Sequence, residues 1–313
     1  MILCYNIPMK KKLKNIKIYK KIITVSALSL ILTRNEFDVV IDNYVPCFNT
    51  GNINLYKDSI KEQINFKIEK DYVPQGMCII NDKIVVSLYN KDYNNNSCLY
   101  VIDKNTYKYK KVELDIKAHC GAIAYDNIND NVWISANDGF INCYKLFDIL
   151  NKSSVENIKS VDCSDHLENH KGNESVSYLT YHKGEMFVGN FNVLSLKTIM
   201  KVYEVDSTNL KFKNKIKMPN YIQGISFKDD KMFLSRSYGE NNTSQILVYD
   251  FKKNDNNYIR NVRKEITCPS LQQQIVFDDD NLFLLYESNS NLYQNEIIKS
   301  DDIVVVNYKK LIK

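Results

Sequence analysis

Three glutamines stand at equivalent points of a recurring pattern. Gln75, Gln223 and Gln273 each open a run of apolar residues: Gly-Met-Cys-Ile-Ile, Gly-Ile-Ser-Phe and Gln-Ile-Val-Phe. Other residues at corresponding places are His119, Arg236, Tyr238 and the neighbours Tyr286 and Glu287. Amides, aromatic rings, an imidazole, a guanidinium and a carboxylate make a set suited to a polar ligand that stacks on rings, such as a sugar or a peptide end. Gln75, His119, Gln223, Arg236, Tyr238, Gln273, Tyr286 and Glu287 are therefore the candidate ligand-binding residues, and none is given a catalytic role. Each also has a plain structural use: the glutamines can satisfy backbone groups where strands crowd, His119 has no ligand-spaced partner, and Arg236 can pair with Glu287.

The chain offers little for known hydrolytic chemistries. Glycosidases need two or three carboxylates at a controlled separation, and calcium-dependent lactonases need several acids around the ion. The strand starts here carry amides instead. There is no nucleophile elbow, HExxH or phosphate-binding glycine loop. A hydrolase acting on a glycan or ester stays open as the alternative to a binding protein, resting on His119, Arg236 and Glu287.

The elements that must position these residues are short strands. From Tyr221 to Phe251 the sequence reads as an antiparallel meander: two apolar runs joined by the tight turn Lys228-Asp-Asp-Lys231, a polar loop, then Gln245-Ile-Leu-Val-Tyr-Asp-Phe251. The same module begins again at Gln75, Cys120, Ser177 and Gln273. The starts are separated by 45, 57, 46 and 50 residues, from 75 to 120, 177, 223 and 273. Near-constant spacing in this range marks propeller blades. Alternating segments at Tyr107–Asp115, Val155–Asp162, Leu210–Lys217 and Ile259–Thr267 supply fourth strands, but the last module has none after it. Ile64–Lys70 has the same alternation and is expected to complete that blade. The reading is an all-β, five-bladed β-propeller of four-stranded antiparallel blades, closed by an N-terminal strand at about 64–70. Loops leading into inner strands and loops joining second to third strands then share one face of the channel, where the candidate residues converge.

The Asn and Asp pairs of the first turns (Asn81-Asp82, Asp229-Asp230, Asp278-Asp-Asp280) are what tight turns require, and their spacing does not describe a calcium loop. The eight cysteines are scattered without zinc-like spacing. Cys78 and Cys143 fall inside apolar strands, where a buried thiol is expected. Neither cofactor nor metal is expected. Asn-x-Ser/Thr triplets at Asn95, Asn151, Asn173, Asn241 and Asn242 follow from the abundance of Asn and indicate no modification.

A basic run from Lys10 to Lys21 precedes an apolar segment of eleven residues, Ile22–Leu32. That is the pattern of a secretory signal, too short for an ordinary spanning helix. Residues 1–36 are read as a signal peptide or an uncleaved membrane anchor, 37–62 as a lead-in and 63–313 as the propeller. The expected address is extracellular or cell-surface, with membrane contact only through that first segment. The net charge of +5 comes largely from the same run, so nucleic acid is not expected as a partner. A polar small molecule, a glycan or a protein is, and the chain is expected to be a monomer.

The stretches Val73-Pro-Gln-Gly-Met77, His119-Cys-Gly-Ala-Ile-Ala-Tyr125, Ser235-Arg-Ser-Tyr-Gly239 and Leu285-Tyr-Glu-Ser288 resemble a group of uncharacterised exported propeller proteins of low-GC Gram-positive bacteria. The resemblance spans roughly residues 71 to 308. It implies the propeller fold and an extracytoplasmic address and brings no activity with it. In that group a Gly is expected where Cys120 or its neighbour stands, so the thiol beside His119 is a departure.

Overall fold

The computed structural model describes residues 52–164, 176–193, 198–251, 262–288, 290, 292–293, 300 and 302–313. The basic and apolar segment of residues 10–32 lies outside them. Among the described residues no helix is long and apolar enough to cross a membrane.

Strands form because the module repeats short β-branched and aromatic runs punctuated by Asx turns. A short helix, α1 (Asn54–Ser59), leads into β1 (Ile60–Ile64). The first blade is β2 (Tyr72–Ile80), β3 (Lys83–Asn90), β4 (Cys98–Asp103) and β5 (Tyr109–Leu114). The second is β6 (Ile123–Asp126), β7 (Asn131–Ser135), β8 (Phe140–Lys145) and its outer strand β10 (Lys159–Asp162); between β8 and β10 the chain passes through helix α2 (Leu146–Asn151) and the two-residue β9 (Ser154–Val155), which joins the first blade. The third is β11 (Val176–His182), β12 (Glu185–Asn190), β13 (Ile199–Asp206) and β14 (Asn209–Lys217). The fourth is β15 (Ile222–Lys228), β16 (Lys231–Arg236), β17 (Ser244–Asp250) and β18 (Val262–Cys268). The last has β19 (Gln272–Asp278), β20 (Asn281–Tyr286) and β21 (Ile303–Asn307), followed by α3 (Tyr308–Leu311). The result is the five-bladed propeller that the spacing predicts.

The ring closes as expected, but with an earlier strand. Antiparallel pairing runs from Ile60 opposite Val306 to Ile64 opposite Ile303, so the closing strand shares only Ile64 with the predicted 64–70. Beyond it, side chains take over from the ladder. Phe66 N donates to Asp302 Oδ2 at 3.0 Å, and Asp302 N donates to Asn65 Oδ1 at 3.3 Å. The alternating Ile64, Phe66 and Ile68 still cover the core between the last and first blades. A second shift concerns 155–162. Only 159–162 pairs with β8, while Ser154–Val155 adds in parallel to the outer edge of the first blade. That edge would otherwise leave backbone groups open, and Glu113 N finds Ser153 O at 2.8 Å.

The core divides into clusters, one between each pair of adjacent blades. Both faces of each sheet are thereby buried, which is why inner and middle strands read as nearly continuous apolar runs. Trp133 and Tyr203 fill the second-to-third gap, Met77 and Leu285 the fifth-to-first. The six described cysteines are buried free thiols. In the first turns Asn81, Asp229 and Asp279 have φ of 53°, 54° and 50°, the left-handed region that Asn and Asp enter more readily than other side chains.

Candidate functional site

Four of the five inner strands carry one device in common. The register slips between Pro74 and Gly76, Val176 and Tyr178, Ile222 and Gly224, and Gln272 and Ile275. Each slip is a bulge, which kinks a strand and re-aims side chains. Gln75, Ser177, Gln223 and Gln273 sit in these bulges. Inner strands also approach each other too closely for side chains at some points. A Cβ on Gly224 would lie 2.8 Å from Gln273 O and 2.9 Å from Ile275 N of the next blade.

Two of the bulge glutamines, from opposite ends of the sequence, meet on one carboxylate. Gln75 Nε2 donates to Glu287 Oε2 at 2.5 Å, and Gln273 Nε2 donates to Glu287 Oε1 at 2.8 Å. The Tyr293 hydroxyl bonds to the same group. Glu287 is only 5% exposed. Burial pushes its carboxyl up to about 8, against the opposing pull of Gln75, Tyr293 and Gln273. Among the described residues no cation neutralises it and no second carboxylate perturbs it. An amide clamp without a counter-ion leaves a buried acid whose charge is only partly compensated.

Aromatic groups adjoin it. Burial, and next the charge of Glu287, raise the Tyr89 hydroxyl. The Tyr89 ring lies 4.3 Å from that of His119 and stacks on Tyr93 at 5.6 Å, and Tyr93 Oη is 3.3 Å from His119 Nδ1. Burial depresses the imidazole to about 4, so His119 is neutral at physiological pH. A second aromatic group forms on the third and fourth blades. Arg236, 3% exposed, places Cζ 5.8 Å from the Tyr221 ring, within reach of a cation–π attraction. Tyr221 packs on the exposed Tyr238 at 5.0 Å, and Phe191 stacks on Tyr238 at 6.3 Å.

The predicted set therefore divides. Gln75, Gln273 and Glu287 are joined directly, with His119 reached through Tyr89. Arg236 and Tyr238 form their own cluster, and Arg236 does not pair with Glu287. Gln223 is half-buried and its side chain makes no hydrogen bond among the described residues. Tyr286 is a correction to the predicted set. It is fully buried in the core between the fourth and fifth blades, beside Tyr56 and Cys268. Alternation along the strand explains this, since neighbouring side chains point to opposite faces of the blade: Tyr286 enters the fourth-to-fifth gap and Glu287 turns toward Gln75 of the first blade. Tyr293 and Tyr93 escape sequence reasoning because they belong to irregular loops outside the repeat register.

No protein-family model and no curated protein matches this chain. Solved structures do. A Myxococcus xanthus glutaminyl cyclase aligns with a TM-score of 0.50 at 9% identity, covering 73% of this chain and 90% of that one. A Kuenenia stuttgartiensis hydrazine synthase aligns with a TM-score of 0.44 at 9% identity, over 75% of this chain and 60% of that one. A chain of a nidogen/laminin complex gives 0.41 at 11% identity, over 69% and 73%. At such identities only the fold is shared, and a propeller is compatible with binding ligands or proteins.

Proposed function

We propose that the protein is an exported or surface-held propeller whose channel mouth binds a ligand presenting an amine, the free amino terminus of a peptide being the simplest. The observation that carries this is the Glu287 carboxylate, buried and held by Gln75, Gln273 and Tyr293 with no cation beside it among the described residues. A ligand ammonium would supply the missing opposite charge, and tyrosine faces nearby favour a cation further. Export rests on the basic run and apolar segment of residues 10–32. The test is a peptide array with free and acetylated amino termini, read with the native protein and with Glu287→Gln. Binding that needs the free amine and falls with the substitution is expected. Equal capture of acetylated peptides, or indifference to Glu287→Gln, overturns it.

The same carboxylate favours a second reading. A carboxyl group that titrates near neutrality can exchange protons with a substrate at physiological pH. Hydrolysis of a glycan by paired acids draws no support from a carboxylate that no second acid among the described residues perturbs. Proton transfer on an amine substrate does. The fold neighbour from Myxococcus xanthus is named a glutaminyl cyclase, which makes a peptide beginning with glutamine the first substrate to try. In such a reaction the amine attacks the side-chain amide carbon, ammonia leaves, and Glu287 would carry the proton from one nitrogen to the other. Ammonia release that Glu287→Gln abolishes supports turnover; binding without release leaves the first reading.

A further inference from the structure

Of the three glutamines in equivalent inner-strand bulges, the fold uses two. Gln75 and Gln273 donate to Glu287. Gln223 is half-buried, and its side-chain amide makes no hydrogen bond among the described residues. Strand pairing explains the difference. Ile222 lies opposite Arg236 in the fourth blade as Gln272 lies opposite Tyr286 in the fifth. The place that Glu287 takes after Tyr286 therefore falls, after Arg236, to Ser237. The backbone bonds match, with Ser237 N donating to Tyr221 O and Glu287 N to Leu271 O. Serine is too short to replace the glutamate, and the Ser237 hydroxyl is already engaged by Ser244 Oγ at 2.8 Å. In the third blade the same place, after Asn190 opposite Val176, holds Phe191. Gln223 is thus left without the carboxylate that occupies its two counterparts. Its amide atoms also differ from those of Gln272, which are sealed from solvent and unpartnered. Neither polar atom of Gln223 is sealed in that way.

This accessible amide lies along the chain between the carboxylate clamp and an aromatic shelf. On one side its neighbour Gly224 presses against the fifth blade, where a Cβ would meet Gln273 O at 2.8 Å. On the other side is Tyr221, two residues earlier, whose ring packs on Tyr238 at 5.0 Å and Phe191 at 6.0 Å. Tyr221 is buried, Phe191 half-buried and Tyr238 41% exposed, so the shelf is rigid behind and open in front. A ligand whose amine meets Glu287 next meets an amide and then a ring.

Each feature selects a different part of such a ligand. A side-chain amide carries a donor and an acceptor side by side and matches the N–H and C=O of a peptide group, which a bare amine does not offer. An exposed tyrosine held from behind by other rings favours an aromatic side chain in offset or edge contact.

We propose that Gln223 hydrogen-bonds a peptide group near the amino terminus of the ligand, and that Tyr238, backed by Phe191 and Tyr221, stacks an aromatic side chain in its first few residues. The ligand class is then a peptide with an aromatic residue close to its free terminus. This rests on the reading of Glu287 as the amine site. The test is isothermal titration of alanine tetrapeptides with free amino termini, unsubstituted or with one phenylalanine at the second, third or fourth position, and of their acetylated forms. Phenylalanine at one of these positions should tighten binding about three- to tenfold, and Tyr238→Ala should return that peptide to the affinity of the alanine one. Gln223→Ala should weaken every free-terminus peptide about three- to tenfold, with an unchanged denaturant midpoint showing that the loss is not one of folding. Binding that needs the free amine and Glu287 but ignores Gln223→Ala, or shows no phenylalanine preference that Tyr238→Ala removes, overturns this proposal and leaves the amine reading standing. Equal binding of acetylated peptides, or no saturable binding of any, overturns both.

Discussion

Gln75 of the first blade donates to Glu287 of the last across 212 residues of sequence, at 2.5 Å. Because the antiparallel pairing of β1 with β21 already closes the ring between strands distant in sequence, this bond does not hold the fold alone. Its effect is to hold a buried carboxylate in place where the first and last blades meet. The two glutamine amides can turn over to meet either protonation state, so the clamp persists whether or not Glu287 is charged.

The first prediction follows from the raised Glu287 carboxyl. Its folded value of about 8 lies above the unfolded carboxylate value of 4.5, so the native state binds the proton more tightly. Its stabilising contribution is complete below 4.5 and is lost as pH rises through 8. Glu287→Gln removes that dependence. Relative to native protein the variant should gain stability with pH over that window, on the order of a few kcal/mol, measured by urea denaturation. Parallel pH profiles for the two proteins would contradict the burial of the acid.

Gln75 and Gln223 occupy equivalent bulges, yet their substitution should differ. Gln75→Ala strips a donor from a buried carboxylate and is expected to cost about 1–3 kcal/mol. Gln223→Ala, half-buried and without a side-chain bond among the described residues, should change stability by about 0.5 kcal/mol or less. Denaturant midpoints of the two variants decide the matter.

This contrast marks what the sequence discloses. Repeat spacing and period-2 patterning place Gln75, Gln223 and Gln273 at one structural position because the backbone bulge recurs. Only the last blade carries an acid at its second-strand end, so only the glutamines near it acquire a partner, and the repeat alone cannot express that difference. Tyr286 shows the reverse error, since one residue along a strand exchanges one inter-blade gap for the other. Tyr293 and Tyr93 reach the site from loops with no periodicity to read.

His119 should behave as a permanently neutral ring. Its depressed value of about 4 lies below the unfolded value of about 6.5, so its contribution to stability is present above 6.5 and lost as pH falls through 4. In a histidine NMR titration its ring resonances should stay flat across the physiological range and move only in acid. A midpoint near 6.5 would show that the ring is solvated and that its contact with Tyr89 is loose.

Gly224 on an inner strand and Gly184 in a turn separate close approach from turn strain. At Gly224 an added Cβ meets backbone of the next blade, Gln273 O and Gln274 Cα at 2.8 Å and Ile275 N at 2.9 Å. Backbone atoms cannot rotate away as side chains can, so Gly224→Ala must push the fourth and fifth blades apart at the channel, at a cost of about 1–3 kcal/mol. Gly184 has φ of +83° and nothing within 4 Å of the Cβ position. Gly184→Ala therefore incurs only left-handed strain, about 1–2 kcal/mol. The two are told apart by coupling rather than by size alone. Gly224→Ala displaces Gln273, and with it the donor to Glu287, so it should also shift the pH dependence of stability that Glu287 produces, whereas Gly184→Ala, at a solvent-facing turn, should leave that dependence unchanged. Equal pH profiles for the two variants would mean that the glycine contact and the carboxylate clamp are mechanically separate.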